Sequence, residues 1–212
     1  MPFDYKKEYK EFYLPPKKPS IVTIPKMQFV AVRGKGDPNE VKGTYEKAMS
    51  ALYSVAYTLK MSYKTQYKIK GFFEYVVPPL EGFWWQGNAP EQGMDYTRKA
   101  DLSWISVLRL PDFVETADVD WARKQAEKKK KEDFSAVEFW VYEEGLCVQC
   151  MHTGPYDDEP ATVDAMHVFA EENGYKLDFS PERLHHEIYL SDPRKTEPNK
   201  LKTVVRHPIV TA

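Results

Sequence analysis

The sequence predicts an α+β fold in which two strand-helix-strand-strand units form one antiparallel sheet. Three observations lead to this prediction. Runs of β-branched and aromatic residues alternate with two amphipathic helical segments. A glycine-containing turn precedes each helix, and the second half of the chain repeats the order of elements of the first. We expect both long helices on one face of the sheet and a ligand groove along the pseudo-two-fold axis on the other.

The expected domain organisation follows from this repeat. Residues 1–20 are rich in Tyr, Lys and Pro and are predicted to form an extended arm lying over the domain. Residues 21–212 are predicted to form a single domain. Its first repeat covers about 21–114, a connector helix about 115–133 and the second repeat about 136–210.

The first repeat opens with β-rich runs at 21–24 and 29–32. A helix is predicted to follow, because Asp37 can cap it, Pro38 suits the first helical position and Glu40 follows three residues after the cap. Its apolar residues recur at helical spacing. They are Val41, Tyr45, Ala48, Met49, Leu52, Val55, Ala56 and Leu59.

The remaining strands of the first repeat are predicted at 72–77 and 82–85, interrupted by a Pro-Pro pair, and at 102–110. The connector helix ends in the run Lys128–Lys131. Acidic residues surround this run, so a solvated helix is favoured over a nucleic-acid site.

The second repeat has strand-like runs at 139–142 and 146–151. A turn and an amphipathic helix follow, and Asn173-Gly174 ends the helix. The last two strands are predicted at 184–190 and 201–205.

Composition excludes several classes of protein. With 42% apolar and 29% charged residues, the 212-residue chain fits neither a disordered nor a membrane protein. A net charge of -2 argues against direct nucleic-acid binding. The first residues lack the apolar core of a secretory signal, so a cytoplasmic protein is expected. We also expect a monomer or weak homodimer. The aromatic content of 14% is the unusual feature.

Short motifs suggest alternatives that their contexts disfavour. Cys147 and Cys150 read C-x-x-C, but on a strand they point to opposite faces, so buried thiols are favoured over a redox or zinc site. His185 and His186 also point to opposite faces, and we expect no bound metal. A structural role is favoured for this pair, whereas His152 could approach the pocket.

Strand alternation divides residues 185–190 into two sets. Glu187 shares a face with His185 and Tyr189, whereas Ile188 lies on the other face with His186 and Leu190. The apolar set is expected to pack on the helices, which would send Glu187 and Tyr189 to the groove. A carboxylate among aromatic rings can bind apolar cations or act as a base. The alternative is an exposed glutamate paired with a lysine.

Several motifs together resemble the GyrI-like small-molecule-binding family, and most closely its stand-alone bacterial branch. The likeness spans essentially the whole chain. Its most specific motifs are residues 79–85, Pro-Leu-Glu-Gly-Phe-Trp-Trp, and residues 187–193, Glu-Ile-Tyr-Leu-Ser-Asp-Pro. The others are Tyr13-x-Pro15, Ile21-x-x-Ile24-Pro25, Gly34-x-Gly36-Asp37-Pro38, Arg109-Leu110-Pro111-Asp112-Phe113-Val114 and His186.

The resemblance implies a duplicated sheet with a groove on its pseudo-dyad and Glu187 as the pocket glutamate. It also implies cofactor-independent hydrolysis of cyclopropanoid DNA-alkylating toxins of the spirocyclopropyl cyclohexadienone type, which would be a detoxifying activity. Glu187 would deprotonate water, and a phenol such as Tyr142 or Tyr75 would hydrogen-bond the dienone oxygen. The expected ligand-binding residues are Trp84, Trp85, Trp104, Tyr75, Phe139 and Tyr189, with Tyr142 also in the aromatic wall on strand position alone.

Other functions remain open at this point. The chain could sequester or sense a drug without catalysis, or act as a protein-interaction module that inhibits a topoisomerase. Glu81 is expected to cap backbone groups beside its glycine. Residues 87–101 could form a lid over the pocket.

Overall fold

The computed structural model describes residues 1–87, 95 and 97–212. Its strands are β1 (Ser20–Lys35), β2 (Leu80–Gln86), β3 (Leu102–Arg109), β4 (Glu138–Thr153), β5 (Tyr175–Leu177), β6 (His185–Tyr189) and β7 (Lys202–Thr211). Its α-helices are α1 (Tyr5–Glu8), α2 (Lys10–Tyr13), α3 (Thr44–Lys60), α4 (Thr116–Lys130) and α5 (Glu159–Glu172). In the part of the chain described, no helix is long and apolar enough to span a bilayer.

The sheet closes on itself. Its strands are ordered β4-β1-β3-β2-β6-β7, all neighbours are antiparallel, and β4 also pairs with β7. The two predicted repeats are β1-α3-β2-β3 and β4-α5-β6-β7, and their single antiparallel sheet is closed into a barrel, which the sequence analysis did not predict. Closure depends on the 16 residues of β4, which pair first with β1 and then with β7. A closed sheet leaves six of the strands without a free edge.

The long helices pack on the outer face of the barrel. α3 and α4 share one hydrophobic cluster with the outer side chains of β1 and β3, including Val32 and Trp104. α5 belongs to a second cluster, in which Met166 packs on Val148 and Val205. The prediction that both repeat helices lie on one face is therefore confirmed.

The inner face of the barrel is filled rather than hollow. Phe29, Phe83 and Ile105 form an apolar cluster inside it. The N-terminal arm also packs against inward-facing residues, because Tyr13 contacts the cluster that contains Ile188. The arm is not extended over the domain as expected, since it folds into the short helices α1 and α2.

Two local predictions fail for identifiable reasons. Asp37 does not cap α3, because its carboxylate accepts a hydrogen bond from the Asn39 amide in a separate turn, and the helix begins at Thr44 after Gly43. Residues 72–77 are not a strand. There Tyr75 makes only an isolated bridge to Phe3 of the arm, and the Pro-Pro pair follows.

Candidate functional site

Strand β6 places the side chains of His185, Glu187 and Tyr189 beneath the outer helices. Glu187 is paired with Gly82 of β2, and His185 with Trp84. The prediction that His185, Glu187 and Tyr189 share a face is confirmed, but that face carries the helices. Ile188 instead points inward and packs with the arm, so the expectation that Ile188 faces the helices was wrong.

The candidate site lies between α3 and α5, on the outer face of β6 and β2, and we call this region the groove. The two helices belong to separate hydrophobic clusters. From α3, Tyr45 lies over both indoles, with ring centroids 5.6 Å from Trp84 and 5.0 Å from Trp104. Tyr156, just before α5, packs edge-on against Tyr189 at 5.8 Å. Tyr45, Tyr156 and Tyr189 are all partly exposed, so aromatic side chains reach the surface at this site.

A polar cluster lies at the bottom of this groove. The His185 Nε2 atom is 3.0 Å from Glu187 Oε1 and 3.7 Å from Glu159 Oε2 on α5. The Trp84 indole donates a hydrogen bond of 2.8 Å to the Tyr189 hydroxyl. The Glu187 side chain keeps 10% of its surface exposed, whereas Glu159 is fully buried. Glu187 is therefore the carboxylate that a ligand in the groove can reach.

The tyrosines of the groove are protonated at neutral pH. Burial, followed by the nearby Glu187 carboxylate, raises the pKa of Tyr189 well above its ordinary value. Burial, Glu187 and Glu159 raise the pKa of Tyr156 to about 12. Burial is also the main cause of the raised pKa of Tyr45. The Tyr189 hydroxyl hydrogen-bonds to Glu187, whereas Tyr156 can donate a hydrogen bond to an acceptor in the groove.

Among the described residues, Glu159, His185 and Glu187 bring one possible metal-ligating atom each to within 4.8 Å of one another. The distance of 3.0 Å between His185 and Glu187 is that of a hydrogen bond. We interpret the group as a hydrogen-bonded cluster, because a shared proton accounts for this contact.

Two glycines give the indoles room, and the sequence analysis did not use them in this way. A Cβ atom at Gly82 would lie 2.6 Å from Trp84 Nε1 and 3.1 Å from the Tyr189 hydroxyl. A Cβ atom at Gly34 would collide with the Trp104 ring. The signal that could have found them is a glycine inside a strand, which indicates a close approach of another group.

The expected ligand-binding residues do not all come together. Trp84, Trp104 and Tyr189 lie at the groove as described. Trp85 and Tyr142 pack with the inner cluster, and the Tyr142 hydroxyl donates to the Glu182 carbonyl at 2.9 Å. These two lie on the other face because strand neighbours alternate.

Tyr75 packs with the arm, and Phe139 packs at the α3 cluster beside Val30. The possible lid at 87–101 includes residues 88–94 and 96, which lie outside the described residues. His152 is held by Thr162 Oγ1 at 2.8 Å and by the Pro155 carbonyl at 2.9 Å, which suits a structural role. Cys147 and Cys150 are buried free thiols, as expected.

A second polar cluster lies inside the barrel. His186 contacts Glu144 at 3.0 Å and Glu81 at 3.1 Å, and Arg206 pairs with Glu144 at 3.0 Å. Burial alone would raise the pKa of Glu144, but the charges of His186 and Arg206 lower it to about 2. Tyr13 donates to Glu81 at 3.2 Å, so Glu81 is part of this cluster rather than a backbone cap.

The cavity left beside this inner cluster is only about 10 Å³. That is about the minimum space for one water molecule. The inner cluster is therefore a packed element of the barrel rather than a ligand site.

A larger cleft lies on the outside, between α3 and α4. Its volume is about 910 Å³, and Tyr67 stacks on Trp121 there with centroids 4.2 Å apart. Its other lining residues include Tyr53, Tyr57, Gln125, Lys128, Lys129 and Lys130. None of the described lining residues is a carboxylate or a histidine, so this cleft lacks a base at neutral pH.

Comparison with known proteins supports a small-molecule site. Residues 17–210 match the family described as the GyrI-like small molecule binding domain. A solved structure of a hydrolase from Listeria innocua is 45% identical, with a TM-score of 0.89 over 98% of this chain and 100% of its own. An uncharacterized conserved protein from Listeria innocua is 46% identical, with a TM-score of 0.91 over 98% and 100%.

The C-terminal domain of EcmrR shares the fold alone. It is 14% identical, with a TM-score of 0.56 over 92% of this chain and 98% of its own. None of the curated proteins compared with this chain matches it.

Proposed function

Because this chain belongs to the GyrI-like small-molecule-binding family, we propose that it binds flat apolar molecules between α3 and α5 and hydrolyses cyclopropanoid electrophiles there. The observation that carries the proposal is Glu187, a carboxylate at the floor of an aromatic groove. The Listeria innocua relative that is named a hydrolase supports catalysis as the outcome of binding. Removal of alkylating toxins is the corresponding physiological role.

The groove suits a flat polycyclic ligand. The partly exposed Tyr45 offers a ring to the ligand, the buried indoles of Trp84 and Trp104 pack behind it, and aromatic groups pair favourably in offset or edge-on geometry. The Glu187 carboxylate supplies the polarity at one end. Apolar walls with few polar groups are typical of small-molecule sites.

The proposed reaction is the addition of water to a spirocyclopropyl cyclohexadienone. Glu187 accepts a proton from water as the water oxygen bonds to a cyclopropane carbon. The cyclopropane C–C bond breaks, and its electron pair moves through the ring to the dienone oxygen. Tyr156 donates its proton to that oxygen, which becomes the hydroxyl of the phenol product, and the proton count closes when Glu187 returns a proton to Tyr156. Tyr156 replaces Tyr142 and Tyr75 in this role because it lies beside Glu187 on the groove.

The alternative function is sequestration without turnover. The observation that favours it is the cleft between α3 and α4, which has stacked rings and lysines but no base. A binder using that cleft would retain an anionic aromatic molecule unchanged.

The test uses an indole-fused spirocyclopropyl cyclohexadienone in excess over protein. We expect its absorbance to be lost well past one equivalent, with the ring-opened phenol as product. In Glu187→Gln we expect turnover to fall by at least about a hundredfold while binding, measured by Trp fluorescence, is retained.

The control is Glu138→Gln, because Glu138 is an exposed glutamate on β4. It should turn over like the unaltered protein. Loss of absorbance that stops at one equivalent would favour sequestration, and full turnover in Glu187→Gln would remove Glu187 from the mechanism.

A further inference from the structure

Three histidines lie in a row behind the groove glutamate. His185 Nδ1 on β6 is 2.6 Å from Nε2 of His207 on β7. His207 Nδ1 is 2.8 Å from Nε2 of His167 on α5. At the other end, His185 Nε2 is 3.0 Å from Glu187 Oε1. The row therefore runs without a gap from Glu187 to α5.

The row also runs from the interior toward solvent. His185 and His207 are 6% and 2% exposed, whereas His167 is half-buried. The ring of Phe179 packs edge-on against His207 at 4.9 Å and shields it. Both nitrogens of His207 contact another imidazole, so its own hydrogen-bonding capacity is used entirely within the row.

We propose that His185, His207 and His167 form a proton relay that connects Glu187 with the outer surface of α5. Each nitrogen–nitrogen contact holds one hydrogen, so all three rings must direct their hydrogens the same way. In one arrangement the hydrogens point toward Glu187, and in the other toward His167. Changing between the two moves one proton along the whole row without rotating a ring.

The surroundings keep the rings able to exchange a proton. Burial, together with the neighbouring His185 and His167, lowers the pKa of His207 well below its ordinary value, so it is not a fixed cation. Burial likewise lowers the pKa of His167. The charged and titratable groups facing the row are Glu159, Asp164 and Glu171 on α5, Glu187 on β6, and the phenols of Tyr45, Tyr156 and Tyr189.

This inference rests on the proposed function, in which a bound ligand covers the exposed part of Glu187. At the start, the three rings carry hydrogen on Nδ1. Glu187 takes a proton from the attacking water and passes it to His185 Nε2, and successive transfers release one proton from His167 Nδ1 to solvent.

A proton then enters at His167 and the transfers reverse. Glu187 is protonated again and returns this proton to Tyr156, which gave its own to the dienone oxygen. The rings end as they began, one water has been added, and no other reactant is consumed.

The test is His207→Ala, which removes the middle of the row. We expect kcat to fall roughly tenfold to a hundredfold with KM within about twofold, because His207 does not touch the ligand. Imidazole added to the solution should restore turnover, whereas pyrazole should not, since its adjacent nitrogens cannot bridge His185 and His167. Phe179→Leu is the packing control and should keep kcat.

Several outcomes would overturn the relay. One is a normal kcat in His207→Ala. Another is that neither imidazole nor pyrazole restores turnover. A third is that both restore it equally, because this would indicate that the His207 ring acts only by packing. If His207→Ala does not fold, His167→Asn is used instead, and we expect the same fall in kcat. A normal kcat in His167→Asn would contradict the relay. Glu187→Gln is measured in parallel, because normal turnover there would refute the proposed function, whereas its loss with a normal His207 variant would refute only the relay.

A readout without substrate completes the test. In the ¹⁵N NMR spectrum, His185, His207 and His167 should carry hydrogen on the same ring nitrogen, because each ring donates to the next. In Glu187→Gln this shared tautomer should change in all three rings. Rings that carry hydrogen on different nitrogens in the unaltered protein would contradict the relay.

Discussion

Two adjacent histidines on β6 have opposite surroundings. His186 points into the barrel, where Glu81 and Glu144 contact both of its ring nitrogens and Arg206 balances the charge. His185 points outward, where one nitrogen faces Glu187 and the other faces His207. The same residue type therefore serves two purposes.

The difference lies in charge compensation. The inner cluster fixes its protons, because each carboxylate has a cationic partner and the remaining cavity is about 10 Å³. In the outer cluster, the neighbour of His185 is the neutral imidazole of His207, whereas the inner cluster contains the cation Arg206. A fully paired cluster stabilises the fold, whereas a cluster of weakly held protons beside an opening can perform chemistry.

The largest effect on stability is expected from the inner cluster. Glu144→Gln leaves Arg206 and His186 without their shared anion, and breaking such a buried pair costs about 3–5 kcal/mol. Urea unfolding measures this loss. The matched control is Glu138→Gln, whose exposed pair with Arg33 is worth less than about 1 kcal/mol. Equal losses in the two variants would contradict the distinction between the clusters.

The two clusters should respond oppositely to pH. The pKa of His186 is raised in the folded state because Glu144 and Glu81 outweigh the effect of burial, so its stabilisation is present below pH 6.5 and lost as pH rises through the raised pKa. The pKa of His207 is lowered by burial, so its contribution is present above pH 6.5 and lost as pH falls.

Thermal unfolding of His186→Gln and His207→Gln across pH 5 to 8 measures these contributions. Relative to the unaltered protein, the loss in His186→Gln should be greatest at the acidic end. The His207→Gln variant should gain relative stability there. Parallel curves for the two variants would show that the histidines are not distinguished by their surroundings.

Glu144 adds an acid limit to stability. Its pKa is lowered from 4.5 to about 2 by His186 and Arg206 against the opposing effect of burial. Its stabilisation is therefore present above pH 4.5 and lost between pH 4.5 and 2. The acid unfolding midpoint should rise in Arg206→Met, and an unchanged midpoint would argue against this pair as the cause.

The smallest effect is expected where the arm joins the inner cluster. Tyr13→Phe removes the hydrogen bond to Glu81 and should cost about 1 kcal/mol, because the ring remains packed and His186 still contacts Glu81. Limited proteolysis of the arm should become faster to the same small extent. Release of the whole arm in this variant would show that the hydrogen bond, rather than ring packing, holds the arm.

The repeated order of elements could be predicted from the sequence because it depends on local periodicity. Closure of the barrel could not, since it depends on β4 pairing with β7 as well as β1. The shared face of His185, Glu187 and Tyr189 also followed from local alternation. The face that these three residues share could not be predicted in the same way, because the barrel interior also contains apolar clusters and buries Ile188.

The aromatic-rich composition is shared between several parts of the molecule. Some rings line the groove, such as Trp84, but others stabilise the arm or the barrel interior, such as Tyr13 and Phe83. The histidine row could not be found from the sequence, because His167, His185 and His207 lie on three different elements. Only the folded arrangement brings them together.

The most direct test of the central claim is a crystal structure of Glu187→Gln with the intact indole-fused spirocyclopropyl cyclohexadienone. The account predicts the ligand between α3 and α5, against Trp84 and Tyr45, with its cyclopropane toward position 187 and its dienone oxygen toward Tyr156. A ligand bound only in the cleft between α3 and α4, or one inside the barrel, would contradict it.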